Sequence, residues 1–266
     1  MKNLIPRSLI AILLLSSAII ANNISPDPEH RRLGFEGGEH TLLGDGVTIL
    51  FPQQQSDDSY EYLPQLGNHV DFAPWLFAAQ LSYQLTYGNI VAMPDIFANT
   101  SHAIADGVNE KDQQERFKSS FATFYNNSKS HIKSLNGVLG VINEEIALIK
   151  KALADGGQPS EDYEKAGLSF TEKYIWYDPM MLEILLTCIT DHFAGFDDCA
   201  WTAYHAGHQV ALATALQAHH EENPATKSKL LVLAYAMNGY ACHYLSDRFA
   251  AGVRQEKLAF AIRCKS

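Results

Sequence analysis

Ala241-Cys242-His243-Tyr244-Leu245-Ser246-Asp247 sits inside a segment, Lys229 to Gly252, whose pattern predicts a helix. Leu230, Leu233, Ala234, Met237, Ala241 and Leu245 recur at three- and four-residue steps, the spacing of a buried helical stripe. His243 and Asp247 are four apart, so their side chains stack on one face. An imidazole and a carboxylate placed this way can converge on one cation. They can equally form a plain hydrogen-bonded pair inside a bundle. Ala236 and Gly239 lie about one and two turns earlier, and their small side chains leave room for an ion or an adjacent helix.

The chain outside this helix is long enough, at 266 residues and 47% hydrophobic, for one sizeable core. Residues 1–21 read as a secretory signal: Lys2 and Arg7 precede an apolar run from Leu9 to Ile20, and Ala21 is a plausible cleavage point. Residues 22–266 then form a single helical domain. Removing the signal takes the net charge from −10 to near −12. That balance argues against a surface that coats nucleic acid, which requires lysine and arginine to replace counterions. It does not argue against an enzyme whose metals carry the positive charge. The four cysteines, Cys188, Cys199, Cys242 and Cys264, permit two disulfides in three pairings, and none has the spacing of a zinc knuckle.

From the N-terminus, Asn22 to Arg32 reads as an extended leader with Pro26 and Pro28. His40 follows a glycine-rich stretch and is either a surface-loop histidine or a metal ligand. Val47 to Phe51 reads as a short strand or an irregular apolar segment, and Gln53 to Tyr62 as a polar loop. Phe72 to Tyr87 looks helical. Asp95 follows a proline in an apolar context, where an unpartnered carboxylate would be costly. A helix cap or a loop hydrogen bond is the simplest partner. Asn109 to Asp155 is a long helical region with a near-heptad stripe from Phe117 to Leu153, interrupted at Ser128 and divisible at Gly137 or Gly140. It reads as a packing device, ended by Gly156-Gly157-Gln158-Pro159. Tyr174 to Ile189 and Ala200 to Glu222 are two further helices. The second carries Trp201, Tyr204, His205, His208, Leu212, Ala215 and His219 along one broad face.

Six of the eleven histidines fall in the last third of the chain, at 192, 205, 208, 219, 220 and 243. The run from His192-Phe193, through His205-Ala206-Gly207-His208, to His243-Tyr244-Leu245-Ser246-Asp247 resembles the zinc-dependent phospholipase C and P1 nuclease superfamily. It looks most like the bacterial secreted zinc metallophospholipases C. In that family an HF motif lies about fifty residues before an HYLxD motif on an all-helical scaffold, and here His192 and His243 are 51 apart. Leu85-Thr86-Tyr87-Gly88-Asn89-Ile90, ending at Asp95, looks like the family's aspartate-bearing segment, with Asn89 where an aspartate is expected. The likeness covers about 190–252 and 85–97. Residues of about 99–190 would then be an inserted helical segment.

The resemblance implies an all-α, multi-helix bundle that binds zinc. Asp95, His192, His243 and Asp247 match the four ligands of one zinc position, and Asp247 would also bridge toward a second metal. His40 would match the ligand that, with the mature amino terminus, holds a further one. Two imidazoles and two carboxylates suit zinc. The implied reaction is hydrolysis of a phospholipid phosphodiester at a membrane surface, releasing diacylglycerol and a phosphorylated head group. Asp95 would orient or deprotonate the attacking water. A nuclease of the same superfamily and a non-catalytic, metal-stabilised binding or structural protein are the alternatives. The family places a histidine ten residues after that of HYLxD, and then a ligand-bearing helix. Val253 stands at the first position, and no histidine follows His243. Weak turnover is therefore expected.

Overall fold

The computed structural model describes residues 37–157, 169–192 and 198–248. These are mostly helical, about two-thirds by residue, with one two-stranded sheet. The chain is thus mainly α, as expected, with a hairpin that the all-α reading lacked. The helices are α1 (Gly37–Asp45), α2 (Ala73–Leu76), α3 (Tyr87–Ala92), α4 (Glu110–Phe124), α5 (Lys129–Ala154), α6 (Ser169–Tyr177), α7 (Met180–Thr187), α8 (Cys199–His220) and α9 (Pro224–Asp247). Strands β1 (Thr48–Gln54) and β2 (Tyr60–Leu66) pair antiparallel. The signal, the leader and Val253 lie outside the described residues. Among the described residues no helix is long and apolar enough to cross a membrane.

The C-terminal helix α9 is the axle. It begins five residues earlier than its apolar pattern suggests, because Pro224 suits the first turn and the Asn223 side chain accepts the Thr226 N–H. Its buried positions are Ser228, Val232, Ala234, Ala236, Gly239, Tyr240, Ala241, His243, Tyr244 and Asp247. Of the expected stripe Ala234 and Ala241 are buried, whereas Leu230, Leu233, Met237 and Leu245 are only half-buried. The interior side therefore extends beyond the expected stripe onto the His243–Asp247 side. Gly239 faces a neighbouring helix, since a Cβ there would lie 3.0 Å from the Tyr87 ring. Helix α8 packs along α9 as an antiparallel partner after a three-residue turn. Its inward residues are small, among them Ala203, Ala206, Gly207 and Val210. Trp201, Leu212 and His219 face solvent.

The remaining elements wrap this pair. Phe117, Phe121 and Phe124 of α4 meet Tyr240 edge-on or stacked, at 5.5–6.1 Å between ring centres. The long helical region does divide, but at Tyr125–Asn127 rather than at a glycine. Asn126 and Ser128 bond their own backbone there, and Ser128 caps α5. Helix α5 ends at Gly156, whose φ of +72° is the left-handed stop its sequence predicts. Phe72 to Tyr87 is not one helix. Asp71 Oδ1 accepts the Ala73 and Leu85 N–H groups, and the Asn127 and Asn136 side chains accept those of Ala78 and Ser82. Side chains thus satisfy a backbone that a helix would otherwise pair internally. The predicted helix from Tyr174 to Ile189 is broken at Asp178-Pro179 into α6 and α7. The polar loop expected over Gln53–Tyr62 carries the ends of both strands, and only its centre is a turn.

The cysteines do not form two bridges. Cys199 is disulfide-bonded, whereas Cys188 and Cys242 are free thiols on separate elements.

Candidate metal centre

Five side chains from four separate stretches meet beside the last turns of α9. His40 comes from α1, Asp95 from a 3-10 turn after α3, His192 from a 3-10 turn after α7, and His243 and Asp247 from α9. Local chemistry fixes each carrier. Helix α3 starts in a capping box in which the Thr86 hydroxyl accepts the Asn89 N–H and Asn89 Oδ1 accepts the Thr86 N–H. Asn89 therefore serves the helix start through its Oδ1. Helix α1 lies almost on α3. A Cβ at Gly88 would stand 2.0 Å from the Thr41 carbonyl oxygen. Tyr240 of α9 donates to the Phe97 carbonyl at 2.6 Å, two residues beyond Asp95. The buried Asp191 carboxylate accepts the Ile104 and Ala105 N–H groups at 2.7 and 2.8 Å, which anchors the turn that aims His192. Burial outweighs those bonds and pushes Asp191 up to about 6.

Four donor atoms form one compact set: Asp95 Oδ1, His192 Nδ1, His243 Nε2 and Asp247 Oδ2. His243 Nε2 lies 3.3 Å from Asp95 Oδ1, 3.2 Å from Asp247 Oδ2 and 3.0 Å from His192 Nδ1. His192 Nδ1 lies 2.7 Å from Asp247 Oδ2 and 3.6 Å from Asp95 Oδ1. A tetrahedron of zinc bonds about 2.0–2.1 Å long has edges of roughly 3.3 Å, and two overlapping triplets, His192–His243–Asp247 and His40–Asp95–His243, each keep their donor atoms within 4.8 Å of one another, close enough to hold a cation. His40 takes the other side. Its Nε2 stands 3.3 Å from Asp247 Oδ1 and 3.8 Å from Asp95 Oδ2. Both carboxylates therefore turn one oxygen to the four-atom set and one to His40. Asp247 thus faces His40 with Oδ1 and His243 with Oδ2. His40 is no surface-loop residue: it sits on a helix and is fully buried, because α1 is pressed between α3 and α5.

Two imidazoles have their protons placed by neighbours. His243 Nδ1–H donates to the Val91 carbonyl at 2.9 Å, which leaves Nε2 as the inward atom, and its proton is the one a cation would displace. Ser246 Oγ donates to the His243 carbonyl, so it accepts from His40 Nδ1–H at 2.9 Å. His40 Nε2 is then an inward lone pair. Burial alone would lower His243, but the Asp247 and Asp95 charges override it and hold the ring up at about 10. Burial also opposes protonation of His192, and the Asp247 hydrogen bond and charge again raise it. Burial and the His243 charge keep His40 low, against the pull of both carboxylates. Asp95 and Asp247 stay ionised despite burial, chiefly through His243. Two negative charges are thus balanced by protons that a divalent cation would replace.

The opening is at Asp95 and His192, whose side chains keep 26% and 16% exposure, while Asp247 keeps 7%. His205, His208, His219 and His220 do not join. His219 and His220 are exposed at the end of α8, and half-buried His208 turns toward α9, where it pairs with Asn238. Sequence reasoning missed Val91, Ser246 and Asp191 as orienting groups. Ser246 lay inside the quoted motif and Asp191 beside His192, but a backbone carbonyl such as that of Val91 leaves no sequence signal. It also missed the brace in which Arg248 forks onto Asp198, at 3.1 and 2.7 Å, and covers Trp201. That brace ties the end of α9 to the start of α8, next to Asp247. In comparisons with family models, curated proteins and solved structures, the chain matches none.

Proposed function

We propose that the chain is an exported, zinc-dependent phosphodiester hydrolase of the phospholipase C type, slow in turnover, acting on phospholipid at a membrane surface. The observation that carries the reading is the convergence of Asp95, His192, His243 and Asp247, with His243 Nε2 within 3.0–3.3 Å of a donor atom of each of the other three and its Nδ1 bonded to the Val91 carbonyl. This set coincides with the residues that the HF and HYLxD likeness selects. A mainly helical scaffold agrees with the bundle of that superfamily. Zinc held there would polarise the phosphodiester and offset the charge on its oxygens. Asp95, the most exposed of the four, borders the opening and is ionised. It is placed to orient a water toward the substrate. Its depressed pKa makes it a better positioning group than a lasting proton acceptor. His40, His243 and Asp247 line the floor and keep water out of it. Val253, where the resemblance expects a further histidine, is the reason turnover should be slow.

The acidic chain favours lipid over nucleic acid as substrate. Phosphatidylcholine vesicles incubated with the zinc-loaded chain should release diacylglycerol slowly, and His243→Ala should abolish the release. Bound zinc with no release from any phospholipid would contradict the hydrolase reading and leave a metal-stabilised binding protein.

A further inference from the structure

The long helices between the two motif regions read, from sequence, as a packing device. One buried carboxyl group among them does more. Glu145, on the inner side of α5, is fully buried. Its Oε2 accepts the Gly38 N–H at 2.6 Å and the Tyr174 hydroxyl at 2.9 Å. One oxygen therefore joins α5, α6 and the first turn of α1. The Gly38 amide belongs to the opening turn of α1, which lacks an intrahelical acceptor, so the carboxylate also meets the positive end of that helix. The fit is close. A Cβ on Gly38 would lie 2.8 Å from Glu145 Cβ, and one on Gly37 would lie 2.6 Å from the Tyr174 hydroxyl. Two residues further on, His40 projects into the metal centre.

We infer that Glu145 is a positioning residue for the metal centre: with Tyr174 it latches α1 so that His40 faces Asp247 and Asp95. The inference rests on the proposed zinc site. It makes the helical segment between the motifs part of that site's support. A rigid α1 matters because His40 reaches the cluster from a helix of only nine residues. A short helix in isolation is marginal, so its angle is set by what holds its ends. At its C-terminal end Gly44 and Gly88 hold it against α3. At its N-terminal end Glu145 holds it.

The test combines a metal readout with one that needs no metal. Zinc affinity, measured by chelator competition, should fall at least tenfold in Glu145→Ala and by a similar factor in His40→Ala. The double variant should fall no further, because Glu145 acts through His40. Glu145→Gln keeps an acceptor for the Gly38 N–H and should restore most of the affinity. Tyr174→Phe provides a milder break of the latch should Glu145→Ala fold poorly. In the metal-free chain, hydrogen exchange of the α1 amides should quicken in Glu145→Ala and Tyr174→Phe, while α8 keeps its protection. Unchanged α1 exchange, or additive losses of affinity in the double variant, would overturn the inference. Failure of the unaltered chain to bind zinc would instead overturn the proposed function, and the exchange result would still decide whether the latch exists.

Discussion

Proton placement at His243 governs what the centre does without a cation. Its folded value of about 10 lies above the ordinary 6.5. The protonated ring therefore contributes stability that is fully present below about pH 6.5 and lost as pH rises through about 10. A cation must displace that proton, so zinc affinity should climb roughly tenfold per unit between pH 6 and 8. Chelator competition at several pH values checks this, and a flat profile would count against His243 as a ligand. Ser246→Ala removes the acceptor that fixes the His40 tautomer. Zinc affinity should drop by about tenfold, the scale of lost outer hydrogen bonds around metal ligands. His243 and Asp247 were legible as a pair from their four-residue spacing, whereas Asp95, His192 and His40 entered only through the family resemblance, because nothing local ties them to α9. Glu145, Val91 and Ser246 were not legible, since each acts through a backbone contact, or a bond to another ligand, that only the folded chain brings together.

At the scale of elements, close contacts set the geometry. Gly88→Ala would drive a methyl group into the Thr41 carbonyl and the Asp45 backbone, neither of which can swing aside. Overpacking of this kind costs about 1–3 kcal/mol. The melting temperature should fall, and zinc binding should weaken with it as α1 shifts. Asp191→Asn exchanges one of two carboxylate acceptors for a donor, leaving the Ile104 or Ala105 N–H unsatisfied. A loss of about 1–3 kcal/mol is expected, read by denaturant unfolding. The strongly periodic helices were legible in the sequence, as was the left-handed stop at Gly156. The short pieces were not. In Phe72–Tyr87 the apolar spacing suits a helix, but Asp71, Asn127 and Asn136 capture the backbone. Those partners are distant in sequence, so no local pattern announces them. Likewise Asp178-Pro179 overrides an apolar run that would otherwise continue.

Across the whole molecule, α9 carries two of the five clustered side chains, and three sequence-distant stretches bring His40, Asp95 and His192. Under the proposed function, folding and zinc binding are therefore linked. At a free zinc concentration a hundredfold above Kd, the ion would add about 2.7 kcal/mol to stability. Chelation should lower the melting temperature accordingly. The class of fold was legible from helical periodicity, and β1 was open as a strand from Val47 to Phe51, yet β2 was not read, because it is half-exposed with no buried face and its start looks like a polar loop. The most direct test is metal content by mass spectrometry on purified mature chain, unaltered and as His243→Ala. Zinc at one or more equivalents per unaltered chain, with the variant near zero, is the predicted result. No bound metal in either form, with melting unchanged by chelator, would contradict it and leave the five side chains as a buried hydrogen-bonded cluster.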